Sequence, residues 1–438
     1  MPTQALTYIC KIKNHDQVAQ ALDRMGLACS KLWNVALSHT RQVWEETGKI
    51  PSAYETQKAV QEHYWFKQLP THTAQAVTQE LWRAYKSWFG HRRNGNPQAR
   101  PPGYRKRNGK VPLSTVTVKR YGFRLEGTTL RLSRGRAVAS ETGERHLYLE
   151  LALPPGAETE QVKQVRLVSR NGVWKVHLIC EVPVVETSPG KGVAAIDVGI
   201  INLAAVVYSD GSTELYSGRG LLTQEYYFAK EIARCKPSGW RPGSRKRAAS
   251  KRERKLYRKR TQRRRQFLHT ISQRIVDTCV EKGVGVIILG DLKGIRRQAN
   301  GEARSHGKVG NLKLHAWPFD TFAQMLRYKA KLAGITTVQV SERNTSRTCS
   351  VCGRLAANSR VHRGLHVCAE CGATVNADIN GAINILRKYL HGLDKSTGVP
   401  VRVGSSLLPT IWPEPSVNRY DWGKPNPLVH VAGSAPAA

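Results

Sequence analysis

The spacing of hydrophobic positions changes three times along the chain, and each change marks a different kind of structure. Residues 5–13 alternate in the manner of a strand, and from Asp16 the period turns helical, with Val18, Leu22, Met25, Leu32 and Val35 on one stripe. After a break at Gly48 and Pro51, two more helical runs are predicted, about 53–68 and 73–90. Trp33, Trp44, Trp65, Trp82 and Trp88 fall in these runs. Aromatics at helical spacing read first as core, with a remainder free to stack on bases. The stretch HRRNGNPQARPPGYRKRNGK then closes the region as a basic Pro/Gly loop suited to phosphate contacts.

From Val111 the period is two. VPLSTVTV, GFRLEG, TTLRLS, RHLYLELALP, VKQVRLVS and GVWKVHLICEVP read as strands, with Gly127 and Asn171-Gly172 as hairpin turns. Short strands in such succession predict a small antiparallel barrel. Strand 5–13 can join it, which makes the helical segment an insertion within the barrel. TSPGKG at 187–192 reads as a linker, beyond which the pattern is α/β. VAAIDVG (193–199), NLAAVVYS, an Asp210-Gly211 turn and TELYS form a meander, and VGVIILG (284–290) and TTVQVS (336–341) are further strands. Helices are predicted through Leu268, Ile271 and Ile275, over about 318–333, and from Asp378 through DINGAINILRKYL. The tail after Leu393 is rich in Pro, Gly and Ser, a composition that predicts disorder over most of it.

Charge narrows the choice of partner. The chain has 438 residues, 69 Lys and Arg against 32 Asp and Glu, and a net charge of +37. Self-repulsion on that scale calls for a polyanion, and nucleic acid is the first candidate. No segment is apolar for long enough to span a bilayer, and the start, MPTQALTYICKIKN, lacks a signal-peptide core, so no membrane role is expected. The densest basic run, Arg241–Arg265, holds 14 Lys or Arg and one acid, and leads directly into an amphipathic helix. We read it as lining a nucleic-acid channel, with Arg245, Lys246, Arg247, Lys251, Arg252, Arg258, Arg263 and Arg264 as candidate phosphate contacts.

Two cysteine pairs add a metal site. Cys349 and Cys352, then Cys368 and Cys371, are C-x-x-C knuckles fifteen residues apart, the spacing of a ribbon holding one tetrahedral zinc. Four thiolates leave no open coordination position, so this zinc is structural and any chemistry falls to the flanking acids Glu342 and Asp378. Cys10, Cys29, Cys180, Cys235 and Cys279 are scattered singly, as in a reducing cytosol, and a cytoplasmic protein is expected.

Taken together, AAIDVGIINLAAV, the basic helix ending FLHTISQRIV, IILGDLKGI, the TSRTCSVCG and CAECG knuckles and NADINGAINIL resemble, in order, the TnpB proteins of bacterial insertion sequences, relatives of the type V CRISPR effectors. The likeness covers about 190–390 by motif and the earlier chain by layout. It implies a multidomain α+β protein: a β-barrel wedge domain (1–13 and 109–186) with a helical recognition insertion (14–108), a RuvC nuclease domain of RNase H-like α/β fold (187–344, completed by a helix over 376–392) and an inserted four-cysteine zinc ribbon (345–375), followed by the tail (393–438). It also implies a prokaryotic RNA-guided endonuclease that cuts target double-stranded DNA beside a short flanking motif, with a guide RNA as partner and Mg²⁺ as catalytic ion. A transposase or junction resolvase is less favoured, because no tyrosine or serine recombinase pattern is present.

RuvC-type chemistry needs three or four acids around two Mg²⁺ ions. Asp197 and Asp378 match the family's first and last, but the glutamate usual at the end of the IIL strand is replaced by Gly290. Three readings compete. Asp291 lies one residue on, which on a strand turns it to the other face. Glu342 follows the strand expected alongside, about 4.8 Å away, and can reach across to the vacated position. Otherwise cleavage is lost, leaving a nuclease-inactive RNA-guided DNA-binding protein. The strand order favours Glu342.

Overall fold

A helical stripe needs a surface to bury it, and in the computed structural model that surface is a sheet built from strands on both sides of the helices in sequence. The structure describes residues 2–106, 112–155, 157, 161–170, 172–238, 240, 249–291, 307, 317–355, 364–397, 416–422 and 428–431. The chain divides into two compact units, Thr3–Val182 and the part from Pro183 onward.

In the first unit, β1 (Thr3–Ile12) precedes α1 (His15–Thr47), α2 (Ala53–Val60), α3 (Tyr64–Lys67) and α4 (Thr71–Arg93). Gly48 ends α1 in the left-handed conformation, with its N–H on the Trp44 carbonyl at 2.8 Å, and Ser52 with Glu55 forms a capping box that starts α2. The expected run 53–68 is therefore two helices, interrupted where the His63 side chain accepts from the Trp65 N–H. Next come β2 (Val116–Lys119), β3 (Phe123–Glu126), β4 (Thr129–Ser133), a short α5 (Arg136–Thr142) that periodicity did not predict, β5 (His146–Ala152), β6 (Val162–Arg170) and β7 (Val173–Pro183). They form one seven-stranded sheet in the order β2-β6-β7-β1-β5-β4-β3. The two end strands, β2 and β3, are joined by only Arg120–Gly122, so the chain itself brings the sheet's ends together. Trp33 is buried, and Trp44, Trp65 and Trp88 pack against the same core; Trp82 lies outside that cluster under the Lys86 ammonium.

The second unit has its own seven-stranded sheet. Its strands are β8 (Gly192–Asp197), β9 (Asn202–Tyr208), β10 (Thr213–Ser217), β11 (Val284–Asp291), β12 (Thr336–Ser341), β15 (Ser416–Tyr420) and β16 (Leu428–Val431), in the order β12-β11-β8-β9-β10-β15-β16. The last two fall within the tail whose composition predicts disorder over most of its length, the greater part of which lies outside the described residues. Ser416, Val417 and Asn418 pair in parallel with Glu214, Leu215 and Tyr216, and Tyr420 is buried. SVNRY contributes backbone hydrogen bonds and buries Asn418 and Tyr420 on one face, which composition does not reveal. A small hairpin, β13 (Leu365–Val367) with β14 (Thr374–Asn376), carries the second cysteine knuckle.

Among the described residues four helices accompany this sheet: α6 (Arg219–Arg234), not predicted from the sequence, then α7 (Lys251–Glu281), α8 (Phe319–Leu332) and α9 (Ala377–Thr397). Strand alternation sorts them. Ala194, Ile196, Ile287 and Leu289 pack with α7 and α8, whereas Ala195, Ile288 and the half-buried Val193, Val286 and Val340 pack with Ile379, Ala382, Ile383 and Leu386 of α9.

Candidate active site and metal centre

The same alternation decides which acids share a face. Positions 193 and 195 face α9, so Asp197 does too; 286 and 288 face it, so Gly290 does; 340 faces it, so Glu342, two residues on, does. Asp291 has the parity of Ile287 and Leu289, which face the other side. The strands run β12-β11-β8, with Gly290 opposite Val340 on β12 and Leu289 opposite Ile196 on β8. Gly290 therefore lies between the acid that follows β12 and the acid at the end of β8.

Glu342 fills the space that a side chain at 290 would take. A Cβ built on Gly290 would lie 1.8 Å from Glu342 Oε1 and 2.6 Å from its Cδ. A second glycine shapes the opposite wall, since a Cβ on Gly381 of α9 would lie 2.6 Å from Asp197 Oδ2. Gly381 is one turn beyond Asp378, so the Asp197 carboxylate lies against the turn of α9 that carries the third acid. Asn376 caps this helix, its Oδ1 accepting from the N–H groups of Asp378 and Ile379, and the Asn202 amide donates to Asp378 Oδ2 at 2.8 Å.

The electrostatics at Glu342 are those of a half-buried acid with two other acids nearby. Burial, then the charges of Asp197 and Asp291, push the Glu342 carboxyl up to about 8, against the pull of the Lys388 ammonium. Glu342 Oε1 is buried with no hydrogen-bond partner. A buried carboxylate oxygen of that kind is costly unless a cation or a proton meets it. An all-oxygen donor set of this kind suits hard divalent ions, while the three carboxylates are not drawn as close together as the four thiolates.

The four cysteines are brought together. Among the described residues they are the one group of three or more metal-binding side chains with donor atoms within 4.8 Å of one another. Cys349 Sγ lies 3.8 Å from Cys371 Sγ, and Cys352 Sγ 3.6 Å from Cys368 Sγ. Bonds of about 2.3 Å to one tetrahedral ion imply sulfur separations of about 3.8 Å, so the cluster is sized for a metal ion. Each knuckle closes on a glycine with positive φ: Gly353 (+78°) donates to the Cys349 carbonyl and Gly372 (+68°) to that of Cys368. The N–H groups of Cys371 and Glu370 hold the Cys368 thiol down to about 7, whereas burial pushes the Cys349 thiol up.

The basic run is only partly available to a partner. Arg245, Lys246 and Arg247 lie outside the described residues. Ser250 caps α7, and Lys251, Arg252 and Arg258 are exposed on it, Arg252 with a 3.5 Å contact to Glu231. Arg264 instead forms a two-pronged ion pair with the buried Glu225 of α6 (2.8 and 2.5 Å), which Arg260 shares. Arg263 donates to Gln224 and lies over the Phe228 and Trp422 rings. Sequence reasoning missed Glu225 along with α6, although Leu221, Phe228 and Ile232 carry its apolar stripe. It also missed Asn202, Gly381 and the polar residues of α9 at 380, 384 and 388, whose roles depend on distant partners.

A chain with this organisation has known counterparts. The fold is that of a multidomain α+β protein of the Cas12f kind: the solved Cas12f1-sgRNA-target DNA complex matches with a TM-score of 0.60 at 16% identity, over 84% of this chain and 82% of that one. Residues 177–296 match the family OrfB_IS605, a probable transposase, and residues 319–385 match the Cas12f1-like TNB domain. The TnpB-like protein ORF457 of Acidianus two-tailed virus is 27% identical over 402 residues, 84% of this chain and 83% of its own. The CRISPR-associated endodeoxyribonuclease Cas12f1 of Sulfoacidibacillus thermotolerans is 33% identical over 117 residues, 27% of this chain and 25% of its own. Over most of its length the chain is thus similar to TnpB-like proteins, and over two shorter stretches to the OrfB_IS605 and Cas12f1-like families. Among the described residues no helix is long and apolar enough to cross a membrane.

Proposed function

We propose that this protein is an RNA-guided endonuclease that cuts double-stranded target DNA beside a short flanking motif, using a relocated RuvC-type acid set of Asp197, Glu342 and Asp378. The observation that carries the reading is the Glu342 carboxylate seated where a side chain at 290 would be, with an oxygen that no protein group satisfies. Nuclease chemistry accords with the endodeoxyribonuclease named among the relatives, and guidance by RNA with the sgRNA and target DNA of the Cas12f1 complex. In this assignment the strands of 1–13 and 109–186 form the wedge with residues 14–108 inserted, 187–344 and 376–392 form the RuvC domain, and 345–375 form a zinc ribbon.

The three carboxylates would hold two Mg²⁺ ions, which supply Lewis-acid activation of water and of the leaving 3′ oxygen. Asn202 fixes the rotamer of Asp378, and Gly381 lets Asp197 approach α9 closely enough to share the site. The sheet excludes water from the Glu342 side of the site, which strengthens every charge interaction there. Exposed cations on α7 (Lys251, Arg252, Arg258) and the unshared edge of Arg263 track phosphates without reading bases. The four thiolates hold zinc as a structural ion.

The deciding experiment loads the protein with the RNA that co-purifies with it and adds matched DNA in Mg²⁺ or Mn²⁺. Wild type is expected to cut, and Asp197→Ala and Glu342→Ala to form the same complex without cutting. A wild type that binds matched DNA but never cuts it would make the protein a guided binder. Normal cutting by Glu342→Ala with Asp291→Ala inert would move the acid to Asp291.

A further inference from the structure

The segment between Glu342 and the first cysteine knuckle is fastened to α9 by three side chains four residues apart. Asn380 donates from Nδ2 to the Thr348 carbonyl at 2.9 Å and accepts at Oδ1 from the Ser350 N–H at 2.7 Å. Asn384 donates to the Thr345 and Thr348 carbonyls at 2.9 and 2.7 Å. Lys388 Nζ donates to the carbonyls of Ser341, at 3.1 Å, and Arg343. Spacing of four places all three on one helix face. Asn380 and Asn384 are buried, 0% and 4% exposed, where an unmatched amide would be costly, and both donate into this one segment.

Their partners mark out what is being held. Lys388 grips the carbonyls on either side of Glu342. Asn384 grips Thr345, whose own N–H and Oγ1 both donate to the Glu342 carbonyl (3.2 and 2.9 Å). Asn380 grips the residues on either side of Cys349. Within the segment, Asn344 has φ +68°, the one non-glycine residue with positive φ among those described, a left-handed turn position that asparagine accepts more readily than other side chains. The same helix carries Asp378 and packs Gly381 against Asp197.

We propose that Asn380, Asn384 and Lys388 are positioning residues that place Glu342 relative to the other two acids and link that placement to metal occupancy of the cysteine cluster. The inference rests on the proposed nuclease reading. A metal-filled cluster fixes Cys349, Asn380 takes its register from the residues beside Cys349, and the turn at Asn344 delivers Glu342 over Gly290. An emptied cluster releases the far end of the ladder, and Glu342 loses its place before the sheet loses its structure.

The test uses the full chain loaded with guide RNA, comparing wild type, Lys388→Met, Lys388→Arg, Asn384→Ala and Glu342→Ala. Four quantities are read: cleavage rate at saturating target, target affinity, and, on the same variants without RNA, Mn²⁺ affinity by electron paramagnetic resonance and the rate of zinc transfer to a chelator. Lys388→Met and Asn384→Ala are expected to cut roughly 10- to 100-fold more slowly with target affinity unchanged. Their Mn²⁺ affinity should fall toward that of Glu342→Ala, and Lys388→Arg should recover most of both. Zinc should pass to a chelator faster from Asn384→Ala than from wild type. Lys388 is half-buried at the surface, so its variants keep the test open even where Asn384→Ala fails to fold. If wild type cuts and Glu342→Ala does not, yet Lys388→Met matches wild type in rate and Mn²⁺ affinity, the ladder is overturned and the nuclease reading stands. If wild type itself never cuts, the nuclease reading fails.

Discussion

A single methyl group on residue 290 should silence the chemistry without unfolding the protein. In Gly290→Ala the new Cβ would begin 1.8 Å from Glu342 Oε1, where ordinary contact starts at 3.4 Å. The carboxylate must withdraw by roughly 1.5 Å, because strand β11 is pinned on both sides by β12 and β8 while the Glu342 side chain can rotate. Misplacing a reacting group by about 1 Å costs on the order of 10²-fold in rate, so a loss of about 100-fold or more in cleavage is expected. Stability should change by only about 1 kcal/mol, since the obstacle is the far end of a flexible side chain. The assay is single-turnover cleavage of matched DNA by the guide-loaded protein, with target affinity and thermal unfolding measured alongside. In a Glu342→Ala background the alanine at 290 should add nothing, and the Gly290→Glu, Glu342→Ala double variant should regain part of the activity. Cleavage by Gly290→Ala at the wild-type rate would refute the reasoning, because two atoms cannot occupy that space and leave a working carboxylate in place.

Other expectations follow from the same contacts. Cys349→Ser or Cys371→Ser should release zinc and slow cleavage while leaving guide binding largely intact, checked by metal analysis and RNA retention. Arg264→Ala should destabilise the protein by about 2 kcal/mol, because half the cationic cover of buried Glu225 is lost, whereas Lys251→Ala with Arg258→Ala should leave stability unchanged and flatten the salt dependence of RNA binding. Burial holds the Lys329 ammonium down to about 8, with Nζ donating to the His269 carbonyl and Ser272 Oγ. The charged form is thus disfavoured in the folded state: the penalty, about 3 kcal/mol, is full below about pH 8 and fades as pH rises toward the unfolded value of 10.5. Lys329→Met should therefore gain most over wild type at pH 7 and progressively less toward pH 10.5 in urea unfolding.

What the sequence disclosed was whatever a period or a spacing encodes. Alternation at 193–199 and 284–290 put Asp197 and Gly290 on strands, and the cysteine spacing located the cluster. Strand order alone was enough to nominate Glu342 over Asp291. What stayed hidden needs a partner from far along the chain. Fourteen cations in 25 residues read as one phosphate-binding run until α6 shows that Glu225 binds two nearby arginines. Asn380, Asn384 and Lys388 look like ordinary polar positions on a helix until the segment 341–350 is laid beside them. SVNRY was lost in a Pro- and Gly-rich tail, because five residues of alternation carry little signal until an open sheet edge is there to receive them.

That last strand has a consequence for how the protein is made. The edge of β10 is covered by β15, whose residues leave the ribosome roughly 200 positions later, an interval of about 10 to 40 s at ordinary bacterial rates of synthesis. For that time the growing chain carries an exposed sheet edge of unpaired backbone groups, of the kind that recruits other chains. Tyr420 and Trp422, arriving with the strand, then pack on Phe267 of the basic helix α7, and the Trp422 ring lies beneath Arg263. The helix that would follow the nucleic acid therefore acquires its final packing only once residues 416–422 have been made, and a change that disturbs them would be felt first as aggregation during expression.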